Sequence, residues 1–333
     1  MVTIPFSVLD LSLIARGKGP ADAFQNTIHF AQLAERLDFK RYWLAEHHNM
    51  PGIASAATSI LVAQVASATR HIRVGSGGIM LPNHSPLIIA EQFGTLETLF
   101  PGRIDLGLGR APGADQQTAR ALRRDLHAPD RFPEDVAELL TYFEPGTMND
   151  THLIHAVPGM GLQVPVWILG SSLFSAVLAA HLGLPYAFAS HFAPAQMAEA
   201  ITLYRARFTP SARCPAPYVM LTINIIAADT DAEARRLKTS LEQYFLALRR
   251  GRPIAFPPPL ESENAPWTKP EQDLLDSSLR YTYAGTPETI RHILKDFVDF
   301  HQPQEIMVAA PIFDHAMRCQ SLELTSQIKA LLD

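Results

Sequence analysis

Cysteine is nearly missing from this chain: Cys214 and Cys319 are the only two in 333 residues. Two thiols without a spacing pattern fit a reducing cytoplasm better than a disulfide framework. Runs of lysine or arginine are absent too. The balance of 28 basic against 33 acidic residues leaves a mild net charge of −5, spread along the chain, so neither nucleic acid nor an anionic membrane is an expected partner. No apolar run approaches the roughly 18 residues of a membrane span. No basic segment precedes Ile4-Pro-Phe-Ser-Val-Leu9, so no signal peptide is expected. Internal repeats and low-complexity tracts are likewise absent. What the chain has in quantity is apolar side chain, at 47%, enough for a large core without disulfides or metals.

The apolar segments alternate in period. Residues 4–9, 40–46, 72–80, 103–108, 165–169, 186–189, 219–226 and 305–309 read as strands, apolar on both faces as a parallel sheet requires. Helical periodicity falls at about 21–38, 57–69, 86–99, 133–144, 172–182, 194–208, 231–250, 286–299 and 315–332. On the first of these, Phe24, Thr27, Ile28, Ala31, Ala34 and Leu37 share one face, and Asp22 suits the positive helix end. Eight strands, each followed by helical pattern, predict an α/β fold of the (β/α)8 TIM-barrel type. A doubly wound open sheet is the alternative, because strand order is invisible in sequence. One domain over 1–333 is expected, with irregular insertions at about 111–163 and 251–282. The second holds Pro257-Pro258-Pro259 and no periodicity, which suits either a lid or pocket wall or a surface ornament.

Three strand ends carry functional residue types, and strand C-termini are where such folds put their chemistry. Glu46-His47-His48 ends the second strand. Successive side chains there point to opposite faces, so at most one histidine enters a barrel mouth; strand capping is the ordinary use of either. His84 is too distant along the chain to argue as a zinc partner, and no metal is expected. Gly75-Ser76-Gly77-Gly78 lies inside a strand, marking tight barrel packing or close approach of backbone to a flat ligand. Arg110 ends the fourth strand as a permanent cation suited to phosphate, or to a surface ion pair. Gly170-Ser171-Ser172 opens a helix, where backbone N–H groups and hydroxyls bind anions and where serine also serves as a plain cap. Leu9, Asp10 and Ser12 are further candidates for the pocket, with capping an equal use for Asp10. Together these residues suit a phosphorylated planar cofactor such as a flavin mononucleotide.

In that order the motifs Tyr42-Trp-Leu-Ala-Glu-His-His48, Gly75-Ser-Gly-Gly-Ile-Met-Leu-Pro-Asn-His-Ser-Pro86, Glu91-Gln92, Arg103-Ile-Asp-Leu-Gly-Leu-Gly-Arg110 and Gly285-Thr-Pro-Glu288 resemble the bacterial luciferase-like flavin monooxygenases, in their uncharacterised single-component branch. The resemblance covers most of the chain and is weakest at about 111–160 and 251–282. It implies a luciferase-like barrel, reduced FMN as cofactor, His47 as catalytic histidine with Glu46 orienting or tuning it, and a cis peptide at Gly77-Gly78 beneath the flavin ring. Arg110 then anchors the phosphate, with Gly170, Ser171 and Ser172 as a second phosphate loop. Luciferase carries a reactive cysteine just before this arginine. Here Gly109 takes its place, so light emission with a long-chain aldehyde is not implied.

The function so implied is oxygenation of a small organic substrate with O2 through a C4a-peroxyflavin, with reduced flavin supplied by a separate NAD(P)H flavin reductase. A homodimer and a cytoplasmic location are expected. Two alternatives stand beside it: a deazaflavin-dependent oxidoreductase, whose cofactor's longer acidic tail asks for more basic residues than Arg110, and a flavin-binding protein without turnover.

Overall fold

The computed structural model describes residues 4–331 apart from 112–115, 125–129, 147–153 and 263–265. Parts of both expected insertions therefore lie outside the described residues. In chain order the elements are β1 (Phe6–Asp10), α1 (Pro20–Arg36), β2 (Arg41–Leu44), α2 (Thr58–Ala68), β3 (Arg73–Met80), α3 (Pro86–Leu99), β4 (Ile104–Gly109), α4 (Gln116–Ala121), α5 (Phe132–Tyr142), β5 (Val166–Gly170), α6 (Leu173–Leu182), β6 (Tyr186–Phe188) and α7 (Met197–Arg207). They continue through β7 (Val219–Ala227), α8 (Asp231–Arg249), α9 (Lys269–Ser278), β8 (Thr282–Gly285), α10 (Pro287–His301), β9 (Glu305–Ala309) and α11 (His315–Leu331). No helix among the described residues is long and apolar enough to cross a membrane.

Every strand pairing is parallel. The ring runs β1 to β6 in order, then β7 and β9, and closes from β9 back to β1. This is the eight-stranded barrel, and the open doubly wound sheet is excluded. A ninth strand, β8, is a correction to the strand count. β6 has three residues and covers only Val219–Leu221 of the nine-residue β7. The far end of that edge, Asn224–Ala227, pairs with β8 instead, so its backbone groups stay satisfied. Thr282–Gly285 had no visible period because it is only four residues long.

The helices begin where side-chain chemistry allows. Asp22 accepts the Gly19 amide at 2.9 Å ahead of Pro20, and Thr286 caps α10 through Thr289 N with Pro287 next in line. Their apolar faces bury a continuous layer between sheet and helices, including Val8, Phe30, Tyr42, Val62, Phe93, Leu106, Ile168 and Ile223.

Inside the barrel the inward positions alternate with the strand period. Trp43 and Trp167 fill the middle, edge to face at 5.2 Å, with Leu9, Met220 and Met307 around them. Space for two indoles exists because β3 and β4 present glycine. A Cβ on Gly77 would come within 2.9 Å of Leu9 Cδ1 and 3.1 Å of Trp43 Cβ, and one on Gly107 within 2.3 Å of the Ser76 carbonyl. Large and small residues thus interlock across the barrel.

The barrel's N-terminal end is closed by charge. Arg41, buried, donates to Asp105 Oδ2 at 2.7 Å and to Glu305 Oε1 at 2.9 Å. Arg73 holds the other Asp105 oxygen at 2.7 Å, and Trp43 Nε1 reaches Oδ2 at 3.2 Å. Ser7 and Tyr218 donate to Glu305. Burial pushes the Asp105 carboxyl up, but Arg41 and Arg73 outweigh it and hold it below the usual carboxylate range.

Candidate active site at the barrel mouth

The opposite, C-terminal end opens into two adjoining cavities of about 750 and 450 Å³, in the size range of small-molecule sites. Of the eight residues expected in the site, seven line the larger one: His47, Gly77, Gly78, Arg110, Gly170, Ser171 and Ser172. Arg110, Ser171 and Ser172 sit one or two residues past the last paired residues of β4 and β5 and His47 three past β2, whereas Gly77 and Gly170 are themselves paired.

Glu46 is the exception: it lines neither cavity, and of its two expected roles it does not orient His47 by a hydrogen bond, although its charge opposes the desolvation that lowers the His47 pKa. Its buried carboxylate accepts from His48 Nε2 at 2.8 Å, His84 Nε2 at 2.9 Å and the Met80 amide at 2.9 Å, and makes no hydrogen bond to His47. Burial raises its pKa, but His84, His48 and that amide outweigh it and leave the group below the usual carboxylate range. Glu46 therefore ties the end of β2 to the β3–α3 connection. His48 and His84 aim at the carboxylate instead of sharing a vacant point with it. The alternation of side chains does hold: His47 borders both cavities and His48 neither.

His47 keeps some accessible surface because it faces those cavities, yet the protein around it pushes its pKa down to about 4, chiefly by desolvation. Its amide bonds the Ser55 carbonyl at 3.1 Å, while Nδ1 is buried without a partner. Across the mouth stands His191, just past β6, which sequence reading missed. It too borders both cavities, has an unpartnered buried Nδ1, and is pushed down to about 3 by desolvation. Asn224 fixes the turn by donating to the His191 carbonyl at 2.8 Å. The missed signal was of the same kind as at His47: a histidine at the C-terminal end of a strand. Tyr244 OH, in the smaller cavity, is a third buried polar atom without a partner, and burial pushes its pKa up to about 12. Buried polar groups are ordinarily satisfied, so a cluster of three orphans around one opening marks a place for a ligand.

The peptide bond between Gly77 and Gly78 is cis. Gly78 is the extra residue of a bulge, since Gly77 pairs Gly107 and Ile79 pairs Leu108. These glycines line the cavity, and added Cβ atoms would strike the barrel wall, so the tight-packing reading holds. Arg110 sits at the rim, paired with Asp130 at 2.7 Å and stacked 4.1 Å from the Phe174 ring. Ser172 stands at the N-cap of α6 but its side chain makes no cap hydrogen bond; its carbonyl accepts from Ser175. The first amides of α6 are thus left for another acceptor. Asp10 is not a pocket residue. It is buried and accepts from Ser12 N, Thr27, Tyr42 and Arg318, whereas Leu9 lines both cavities.

The smaller cavity is walled by Leu11, Met50, Ile53, Tyr244, Phe245 and Phe256. Phe256 comes from the proline-rich segment, which is anchored to the mouth by reciprocal backbone bonds, Phe256 N to Ile14 O and Arg16 N to Phe256 O, both 2.8 Å. Of the two uses foreseen for that segment, pocket wall is the observed one at Phe256; Trp267 packs away on α8 through Glu242.

A parallel (β/α)8 barrel with its cavity at the strand C-termini has the architecture of the α/β-barrel enzymes. The profile of the luciferase-like monooxygenases matches residues 4–301, and the chain belongs to that family of flavin-dependent oxidoreductases. A luciferase-like monooxygenase of Escherichia coli (strain K12) is 52% identical over 328 residues, 98% of this chain and 97% of the relative. An N-acetyl-S-alkylcysteine monooxygenase of Bacillus subtilis (strain 168) is 37% identical over 256 residues, 75% of this chain and 76% of that one. Among solved structures, apo-MsnO8 superposes with a TM-score of 0.90 at 34% identity, covering 98% of this chain and 99% of that chain. The fold is shared at 18% identity by the oxygenating constituent of 3,6-diketocamphane monooxygenase from Pseudomonas putida, in complex with FMN (TM-score 0.73, 98% and 97% covered). At 14% identity it is shared by an F420-dependent secondary alcohol dehydrogenase (TM-score 0.70, 100% of both chains). Flavin and deazaflavin are both used on this fold.

Proposed function

We propose that the protein binds reduced FMN in the larger cavity and oxygenates a small organic substrate held in the smaller one. The observation that carries this is the junction between them. Leu9, Leu11, His47, His191 and Phe192 line both cavities, so a ring over the Gly77-Gly78 floor and a substrate beside it would meet at two unpartnered imidazoles. Arg110 and the open amides of α6, with Ser171 and Ser172, would hold the phosphate. Gly170 keeps that loop close, since a Cβ there would lie 2.2 Å from Ser175 Oγ. When bound, the reduced flavin supplies two electrons to O2; one oxygen atom goes to the substrate and the other leaves as water.

The chain's own part is positioning and proton handling. With pKa values pushed to about 4 and about 3, His47 and His191 are neutral at physiological pH, each able to accept a proton at one ring nitrogen and donate from the other. Leu11, Met50, Phe245 and Phe256 exclude water from the junction. Among the described residues, Arg249 and Arg318 are the charges on the smaller cavity, and no carboxylate lines it. Arg318 is spent on Asp10 at 2.8 Å, whereas Arg249 forms no ion pair with a described residue and stacks on Phe245 at 4.8 Å. That pattern suits a substrate with an apolar body and an anionic end. An N-acetyl-S-alkylcysteine, the compound class in the Bacillus relative's name, has both and is the probe of choice. Supply of the reduced cofactor by a separate NAD(P)H flavin reductase, and a homodimeric state, rest on the family resemblance.

The test mixes protein, a flavin reductase, NADH, FMN and an N-acetyl-S-alkylcysteine under labelled O2. Incorporation of one labelled oxygen atom into the thioether, lost in His47→Gln, is the expected result. Tight flavin binding with no product from a panel of apolar acids would point to a binding protein without turnover. Arg124 and Arg131 also line the larger cavity, more basic residues than sequence showed, and they favour a deazaflavin as second reading. Asp130 and Asp135 on the same wall offset them. Competitive titration of the two cofactors decides, with tighter FMN binding expected.

A further inference from the structure

The first and last helices of the barrel meet at three side chains that the mouth does not use. His29 on α1 places Nδ1 at 2.8 Å from Nε2 of His315, the first residue of α11. Cys319, one turn further along α11 and on the same face, places Sγ at 3.6 Å from that Nε2 and 3.8 Å from the His29 nitrogen. The three atoms thus form a triangle, one ligand atom from each residue within 4.8 Å of the others. Tetrahedral zinc has Zn–N distances of about 2.0–2.1 Å and Zn–S of about 2.3 Å, which require N···S edges of about 3.6 Å and N···N edges of about 3.4 Å. Both sulfur edges match; the nitrogen edge is short and would open by a ring rotation of His29, which is exposed.

We propose that His29, His315 and Cys319 form a zinc site that staples the first helix to the last. Two imidazoles and a thiolate are a borderline-soft set that zinc accepts and that magnesium or calcium does not. His29 leaves a fourth position open on its solvent side. The site also has a neighbour of consequence. Arg318 lies between His315 and Cys319 in sequence and reaches through to Asp10 while lining the smaller cavity, so a braced α11 would also brace one wall of the proposed substrate chamber. Sequence offered no signal for it, because the two histidines are 286 residues apart.

The competing description is a plain hydrogen bond between two imidazoles with a thiol nearby. Cobalt(II) tells them apart. Untagged protein, treated with a chelator and dialysed, is titrated with cobalt while the visible d–d bands and the near-ultraviolet thiolate-to-metal band are followed. Saturation at one equivalent per chain with both signals, displacement by zinc, and a rise in Tm on zinc addition are expected. Cys319→Ser should abolish the thiolate band and weaken zinc binding by at least about 100-fold, the loss that even an outer-shell partner can cause. Should that variant fold poorly, His29→Ala, on the exposed side, must lose affinity likewise. Absence of the thiolate band in the unaltered protein, or zinc affinity in both variants equal to that of the unaltered protein, overturns the proposal.

Discussion

The two ends of the barrel are built from the same kind of material and finished differently. Each gathers buried polar side chains where eight strands converge. At the N-terminal end the acceptors are occupied: Glu305 by Arg41, Ser7 and Tyr218, Asp105 by Arg41, Arg73 and Trp43. At the C-terminal end His47 Nδ1, His191 Nδ1 and Tyr244 OH lack partners. A saturated network in low dielectric fixes one structure, while an unsaturated one is tolerable only where a ligand completes it. On the proposed function the floor at the N-terminal end holds the fold and the mouth performs the chemistry, a division usual for this architecture. Substitutions at the two ends should separate stability from activity.

The largest effect is expected at the floor. Arg41→Met removes the cation between two buried carboxylates and leaves Asp105 to Arg73 and Glu305 to the part-exposed Lys40, a loss of about 3–5 kcal/mol by the measure of broken buried pairs. Urea unfolding should show it as a lower midpoint. Turnover per folded molecule should stay close to that of the unaltered protein, and a large fall would erase the distinction between the ends.

His47→Gln is the converse. It should lower the turnover number about 10²–10⁴-fold, the usual worth of a positioned acid or base, with unfolding free energy unchanged within about 1 kcal/mol. A variant that loses stability and keeps turnover would return His47 to the structural class. Glu46→Gln belongs with the floor by the same logic despite its place at the mouth. Its carboxylate is fully engaged by His48, His84 and Met80, so stability should fall more than turnover.

Arg110→Ala comes next. Loss of a charge-assisted phosphate contact should weaken FMN about 10–100-fold, read by fluorescence titration, and leave riboflavin, which has no phosphate, bound as before. The Asp130 pair at the rim is exposed on both sides and screened accordingly, so its loss contributes little to stability. Equal loss for both ligands would place Arg110 in the wall and not at the phosphate.

Much of this was legible in advance, for reasons that differ by residue. The eight barrel strands showed because strands buried on both faces leave continuous apolar runs, and His47, Arg110 and Gly77-Gly78 showed because each ends or interrupts such a run. β8 did not, being four residues of alternating burial on an edge that the short β6 leaves open. Glu46 was placed correctly on its strand, but its donors were not foreseen: the Met80 amide and His84 come from the end of β3 and just beyond it, and strand sequence says nothing of that approach. His191 carried the same signal as His47 and was passed over; Tyr244 and Phe256 reach the mouth from a helix and an irregular segment, where no periodicity points to a cavity.

The smallest effect tests the comparison through protons. In the unfolded chain both mouth histidines titrate near 6.5, and in the folded chain near 4 and 3. Between those values the unfolded state binds more protons, so stability falls as pH drops from about 6.5 toward 4, by an amount on the order of a few kcal/mol for the pair. Asp10, Glu46 and Asp105, whose pKa values are also lowered, lose their contribution only below the ordinary carboxylate range. The upper window thus belongs to imidazoles and the lower to carboxylates. His191→Gln should flatten the slope of unfolding free energy between pH 6.5 and about 3 by part of its value and leave the carboxylate contribution to the fall below about pH 4 intact. An unchanged upper slope would mean that His191 is charged in the folded protein, with its Nδ1 partnered after all, and the mouth would then be as saturated as the floor.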